Sequence, residues 1–121
     1  MAKKRVETIS LTDAVIAGMQ EKKAKNITLL DLRDLKSAVA DYFIVCHAPT
    51  GRQVQAIADS VDEYTRNLVN EKPWHMEGME HAEWVLIDYI NVVVHIFTEE
   101  KRNFFGIEEL WGDAKITEIP D

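Results

Sequence analysis

The apolar positions fall into segments of two periods. From Ser10 the chain reads Ser-Leu-Thr-Asp, which resembles a capping box, and Leu11, Ala14, Val15 and Met19 then recur at three- and four-residue spacing. This predicts a first helix ending near Ala24. Ile27 to Arg33 and Asp41 to His47 are short, apolar and rich in β-formers, and read as strands. Thr50 opens Thr-Gly-Arg-Gln, where Thr can cap and Gln53 can close the box, ahead of Val54, Ile57, Ala58, Val61, Tyr64 and Leu68. That stripe predicts a long helix closed by Pro73, followed by a polar loop from Trp74 to Ala82 around Gly78. Glu83 to Tyr89 and Val92 to Thr98 read as two strands of a tight hairpin turning at Ile90-Asn91. A short helix near Glu99 to Trp111, interrupted at Gly106, completes the pattern.

The element order predicts an α/β fold with a single mixed β-sheet and its long helices packed on one face. The expected organisation is an N-terminal arm over residues 1–9, one domain over 10–111, and a mobile tail over 112–121. A two-residue hairpin loop would set Trp84 opposite Phe97, Val85 opposite Ile96, Leu86 opposite His95, Ile87 opposite Val94 and Asp88 opposite Val93. Side chains alternate, so Val85, Ile87, Tyr89, Val92, Val94 and Ile96 then share the helix-covered face. The other face carries Trp84, Leu86, Asp88, Val93, His95 and Phe97, a mixture suited to an interface. An odd loop would spoil this sorting. Ile90 is nonetheless a poor residue for the positive φ of a type I′ turn.

Composition adds bounds. At 121 residues and 46% hydrophobic, one domain should bury roughly two thirds of its unfolded surface and needs neither disulfide nor structural metal. The single Cys46 excludes an intramolecular disulfide and zinc sites that need two or more thiolates. No apolar run approaches a membrane span or a signal peptide, so a cytoplasmic protein without a membrane partner is expected. Residues 1–36 hold eight Lys/Arg against five Asp/Glu, +3, whereas 37–121 hold six against sixteen, −10. Such an acidic bulk disfavours nucleic acid as the main ligand and suits a basic protein partner.

The stretches Ala40-Asp41-Tyr42-Phe43-Ile44-Val45-Cys46, Arg52 to Asp59, Glu77-Gly78, Trp84-Val85-Leu86-Ile87-Asp88-Tyr89, Val92-Val93-Val94-His95-Ile96-Phe97, Arg102 and Leu110-Trp111 together resemble the ribosomal silencing factor family, also called Iojap-like. The resemblance covers roughly residues 10 to 115. It implies a non-enzymatic repressor of translation that binds the large ribosomal subunit through ribosomal protein uL14 and blocks association with the small subunit. It also implies a nucleotidyltransferase-like core and a tendency to form homodimers. This chain departs from the family pattern at Pro49-Thr50-Gly51-Arg52-Gln53, at the Ile90-Asn91 turn and at Phe104-Phe105. Carried over by position, the resemblance assigns partner binding to Trp84, Asp88 and His95. Leu86 and Phe97 belong to the same face, and Glu77 and Glu83 lie at its rim, where carboxylates would meet Lys or Arg of the ribosomal protein.

The alternative is a nucleotide-binding or nucleotidyltransferase-type enzyme on the same fold. That chemistry needs closely spaced carboxylates holding magnesium, and Asp31 and Asp34 lie three apart across a strand end. Cys46 and His47 are adjacent in a strand and face opposite ways, so they do not pair as nucleophile and base. His75, Glu77, Glu80 and His81 match no established zinc spacing. Gly51-Arg52 offers one weak phosphate contact, which adjacent ribosomal RNA could use. No catalytic residue, metal or cofactor is expected.

Overall fold

The structure is a computed structural model that describes residues 10–120; the expected arm over residues 1–9 lies outside the described residues. Helix α1 (Leu11–Glu21) starts where Ser10 Oγ accepts from the Asp13 N–H at 3.1 Å. Strands β1 (Lys25–Asp31) and β2 (Tyr42–Ala48) follow, then helix α2 (Gly51–Val69). Thr50 caps α2 through the Gln53 N–H at 3.2 Å. Gln53 does not close a capping box; its amide donates instead to the Lys22 carbonyl at 3.4 Å, tying the start of α2 to the end of α1. Nor does Pro73 end this helix: Asn70 does, by adopting the left-handed conformation at φ 56°.

The segment expected to be loop contains a three-residue strand, β3 (His75–Glu77). Strands β4 (Trp84–Asp88) and β5 (Val92–Thr98) form the hairpin, with Trp84 opposite Phe97 through to Asp88 opposite Val93. This is the register that side-chain alternation predicts. Two short helices follow, α3 (Glu99–Phe105) and α4 (Ile107–Leu110), hinged at Gly106 with φ 54°. The tail is not outside the fold, because β6 (Lys115–Glu118) pairs antiparallel with β1, setting Ile116 opposite Leu30. The six strands lie in the order β3-β4-β5-β2-β1-β6, with β2 and β5 parallel and the other pairs antiparallel.

One sheet face carries α1 and α2, packed on Ile44, Cys46, Val85, Ile87, Val94 and Ile96. The helices meet closely at Gly18, where an added Cβ would lie 2.8 Å from the Val61 Cα. The other face is covered in part. Leu30, Leu32, Phe43, Val45, Val93 and Phe97 form a second core beneath Ile107, with Leu35, Ala38 and Trp111 packed against it.

Arg102 holds this second layer down. It is buried, and all five guanidinium N–H donors are used: toward both Glu108 carboxylate oxygens at 3.1 and 2.7 Å, Thr28 Oγ1 at 3.1 Å, the Asn26 carbonyl at 2.7 Å and His47 Nδ1 at 3.0 Å. Because Arg can only donate, His47 accepts at Nδ1 and is neutral with its proton on Nε2. Burial first, and the guanidinium second, hold the His47 pKa below its ordinary value.

The hairpin turn is strained. Ile90 sits at φ 76°, and the Asn91 N–H donates to the Tyr89 carbonyl at 3.0 Å, closing a three-residue turn. The Asp88 carboxylate accepts the Ile90 N–H at 2.7 Å, and the Asn91 carbonyl accepts from the Asp41 and Tyr42 N–H groups. A β-branched residue is costly at positive φ.

Two stability measurements test these placements by chemical denaturation. Ile90→Gly relieves more strain than glycine adds in chain entropy and should raise stability by about 1 kcal/mol. Arg102→Met leaves Glu108 without its buried partner and should lower stability by about 3 kcal/mol. A destabilised Ile90→Gly, or a neutral Arg102→Met, would contradict the turn and the anchor respectively.

Candidate functional site

The part of the outer sheet face that α3 and α4 leave uncovered lies over β3 and β4. Pairing across the sheet places side chains there in rows. His75, Asp88, Val93 and Phe43 make one row, and Glu77, Leu86, His95 and Val45 the next, while Trp84 stands beside Phe97 and His47. Along each row, burial rises from the β3 edge toward β2. Glu77 and Glu83 are exposed, Trp84, Leu86 and Asp88 are half-buried, and Val93, His95 and Phe97 are buried.

Two residues expected at the contact surface are therefore interior. Phe97 has no exposed surface, because Trp84 packs against it with ring centroids 5.0 Å apart and Phe105 covers it at 6.1 Å. His95 is only 3% exposed, enclosed by Phe43 at 4.7 Å, Trp84 and Phe97. For Phe97 part of the cover arrives with α3, whose anchoring by Arg102 is a tertiary effect, whereas His95 is closed over by the strand residues Phe43 and Trp84.

The same helix adds groups that strand alternation does not reveal. Phe105 packs on Trp84 at 4.6 Å, and Phe104 meets Phe105 edge-on at 5.1 Å. Phe104 is 74% exposed and Leu110 76%, so an aromatic ridge continues from Trp84 into solvent. The signal for it is the Phe-Phe pair followed by Gly106, an apolar pair at a helix end.

Carboxylates rim the ridge. The Asp88 Oδ1 serves the hairpin turn, and among the described residues it is the only one of the two Asp88 carboxylate oxygens that is hydrogen-bonded. Glu77 Oε2 lies 2.6 Å from His75 Nε2. Gly78 shapes the bend that carries Glu77 to Trp84: its φ is 94°, and a Cβ there would fall 2.1 Å from the Trp84 carbonyl oxygen. The Trp84 indole Nε1–H donates to His95 Nδ1 at 3.1 Å, and burial pushes the His95 pKa down to about 4.

The remaining motifs are occupied with structure. Both Asp31 oxygens accept from Arg33, at 2.9 and 2.7 Å, and these bonds hold its pKa near 2. Asp34 faces Lys115 at 3.6 Å. Cys46 is buried against the helices, its thiol pushed up to about 12 by desolvation, while His47 is on the opposite face with Arg102. Gly51 lies against Ala82, whose Cβ and carbonyl oxygen are 3.3 Å from where a Gly51 Cβ would stand. Among the described residues, no three His, Cys, Asp or Glu side chains gather as a metal-holding group, and no helix is long and apolar enough to cross a membrane.

Fold and site thus define an α/β protein whose distinctive surface is a half-open sheet face of aromatic, aliphatic and carboxylate groups. The model of the family described as "Ribosomal silencing factor during starvation" matches residues 5–121. The ribosomal silencing factor of Bacillus subtilis is 40% identical over 111 residues, covering 91% of this chain and 92% of that one. A solved structure from Chromobacterium violaceum superposes with a TM-score of 0.81 at 32% identity, covering 96% and 95% of the two chains. A crystal structure from Bacillus halodurans gives 0.77 at 31%, covering 90% and 97%. The chain belongs to the ribosomal silencing factor family.

Because His95 is neutral when folded, pH acts on stability through it. An unfolded histidine takes up a proton near pH 6.5, which the folded site refuses until about pH 4. The stability is present above pH 6.5 and is lost as pH falls through that window, by about 3 kcal/mol in all. Denaturation of the parent and of His95→Phe between pH 7 and 4 should show a shallower decline in the variant. Parallel declines would mean that His95 does not titrate in this way.

Proposed function

We propose that this protein represses translation by occupying the large ribosomal subunit, docking through the half-open sheet face on ribosomal protein uL14 and sterically preventing the small subunit from joining. The observation that carries this reading is the ridge of Trp84, Phe105 and Phe104 beside Leu86 and the carboxylates of Asp88, Glu77 and Glu83. Trp84, half-buried and held between Phe97 and Phe105, offers contact area at low entropic cost, and the exposed Phe104 and Phe105 extend it. Three carboxylates around them match a basic protein surface. The name borne by the relatives points the same way.

In this reading Trp84, Leu86 and Phe105 form the centre of the contact. Asp88 supplies charge at one side, and Glu77 and Glu83 steer association from the rim. His95 and Phe97 act from beneath, as the floor on which Trp84 lies. The effect needs occupancy alone, so neither nucleotide nor metal takes part and nothing turns over. Contact with neighbouring ribosomal RNA is secondary, since the acidic bulk of the chain repels phosphate.

Co-sedimentation with purified large subunits, beside circular dichroism, tests the assignment. Trp84→Ala should weaken binding roughly thirtyfold or more. Asp88→Asn keeps the acceptor for the Ile90 N–H while removing the charge, so it should weaken binding roughly tenfold and flatten its salt dependence. Ile87→Asp, which points into the helix-covered core, should unfold the domain. Folded Trp84→Ala that binds like the parent would place the contact elsewhere. In a reassociation assay, excess protein should lower the fraction of separated subunits that rejoin; a requirement for ATP or GTP hydrolysis would contradict steric exclusion.

A further inference from the structure

His95 is a buried imidazole that uses one nitrogen and strands the other. Its Nδ1 accepts the Trp84 indole N–H at 3.1 Å. Since an indole nitrogen can only donate, Nδ1 carries no proton and the neutral ring must carry it on Nε2. Among the described residues that Nε2–H has no hydrogen-bond partner, and it is shut away among Phe43, Phe97 and Trp84. An orphaned buried donor is destabilising, and an apolar ring of similar shape would avoid it. Burial alone would favour an apolar ring here, and the bond satisfies only the Nδ1 acceptor of the imidazole. What it does fix is the angle at which the indole lies over Phe97 and against Phe105.

We infer that His95 is a positioning residue for docking: its unprotonated Nδ1 locks the Trp84 indole in the orientation that the partner meets, at the expense of a stranded N–H beneath. The inference deepens the docking reading and rests on it for its effect on affinity, but the lock itself is a property of the isolated protein. A side chain fixed before binding loses less freedom when it binds, so removing the lock should show as weaker association rather than as loss of fold. Burial, which holds the His95 pKa at about 4, keeps Nδ1 an acceptor throughout the neutral range.

The experiment combines nitrogen-edited NMR of the full chain with co-sedimentation on large subunits. In the parent, His95 should be the Nε2–H tautomer, and the Trp84 indole N–H, assigned by its disappearance in Trp84→Phe, should exchange slowly with water. His95→Phe keeps the ring and removes both the acceptor and the stranded donor. It should remain folded, speed exchange at the Trp84 indole, and weaken large-subunit binding by roughly three- to tenfold. His95→Asn, whose amide oxygen can stand where Nδ1 stood, should restore slow exchange and most of the affinity, which a purely space-filling role would not produce. An Nδ1–H tautomer in the parent overturns the inference without any variant. So does a folded His95→Phe with an unchanged Trp84 signal, or with a freed Trp84 and parental affinity. If Trp84→Ala binds as well as the parent, the docking reading fails, and the tautomer and exchange measurements still decide whether the lock exists.

Discussion

The register of the β4–β5 hairpin is the constraint on which the rest of this structure depends. Side chains alternate along a strand, so a slip of one residue would send Val85 and Ile87 into the open and bury Trp84 and Asp88 beneath the helices. The turn that fixes the register is itself unfavourable, with Ile90 at φ 76°. Asp88 offsets part of that strain by accepting the Ile90 N–H, and Asn91 anchors the turn to the entry of β2 through its carbonyl oxygen. The same carboxylate thus sets the register of the sheet and stands on the face that the register exposes. A substitution at Asp88 acts on both, which is why an amide is the informative replacement.

The two faces of the sheet are covered unequally, and the inequality makes the site. Helices α1 and α2 seal one face along its length. On the other, the short α3–α4 segment covers only the middle, pinned by the Arg102 cluster to β1 and β2. The boundary of that cover runs between buried Phe97 and half-buried Trp84. An aromatic at such a boundary is supported from below by packing and from the side by Phe105. This is the preorganised condition in which a contact residue contributes most to affinity.

Much of this was legible in the sequence, because periodicity is strong where a face is buried. The apolar stripe of α2 and the alternation through Val85, Ile87, Val94 and Ile96 state their partners directly. Strands β3 and β6 are not legible in the same way: they are short edge strands, β6 exposed throughout, and carry no apolar alternation to mark them. The burial of Phe97 beneath Phe105 was hidden for another reason. Arg102, in a short polar helix, looks like a surface residue until β1 and β2 bring the Asn26 carbonyl, Thr28 and His47 to meet it. The turn role of Asp88 was closer to hand, since a carboxylate two residues before a turn residue is a common local acceptor.

Side-chain footprinting of the protein bound to large ribosomal subunits tests the central claim most directly. Hydroxyl radicals would oxidise exposed aromatic and aliphatic side chains, and mass spectrometry would compare the bound with the unbound chain. Trp84, Phe104 and Phe105 should lose reactivity on binding, while Leu68 on α2, which is 45% exposed, should keep it. Protection of Leu68 with Trp84 and Phe104 unchanged would contradict the account, because it would put the ribosome on the helical face of the sheet.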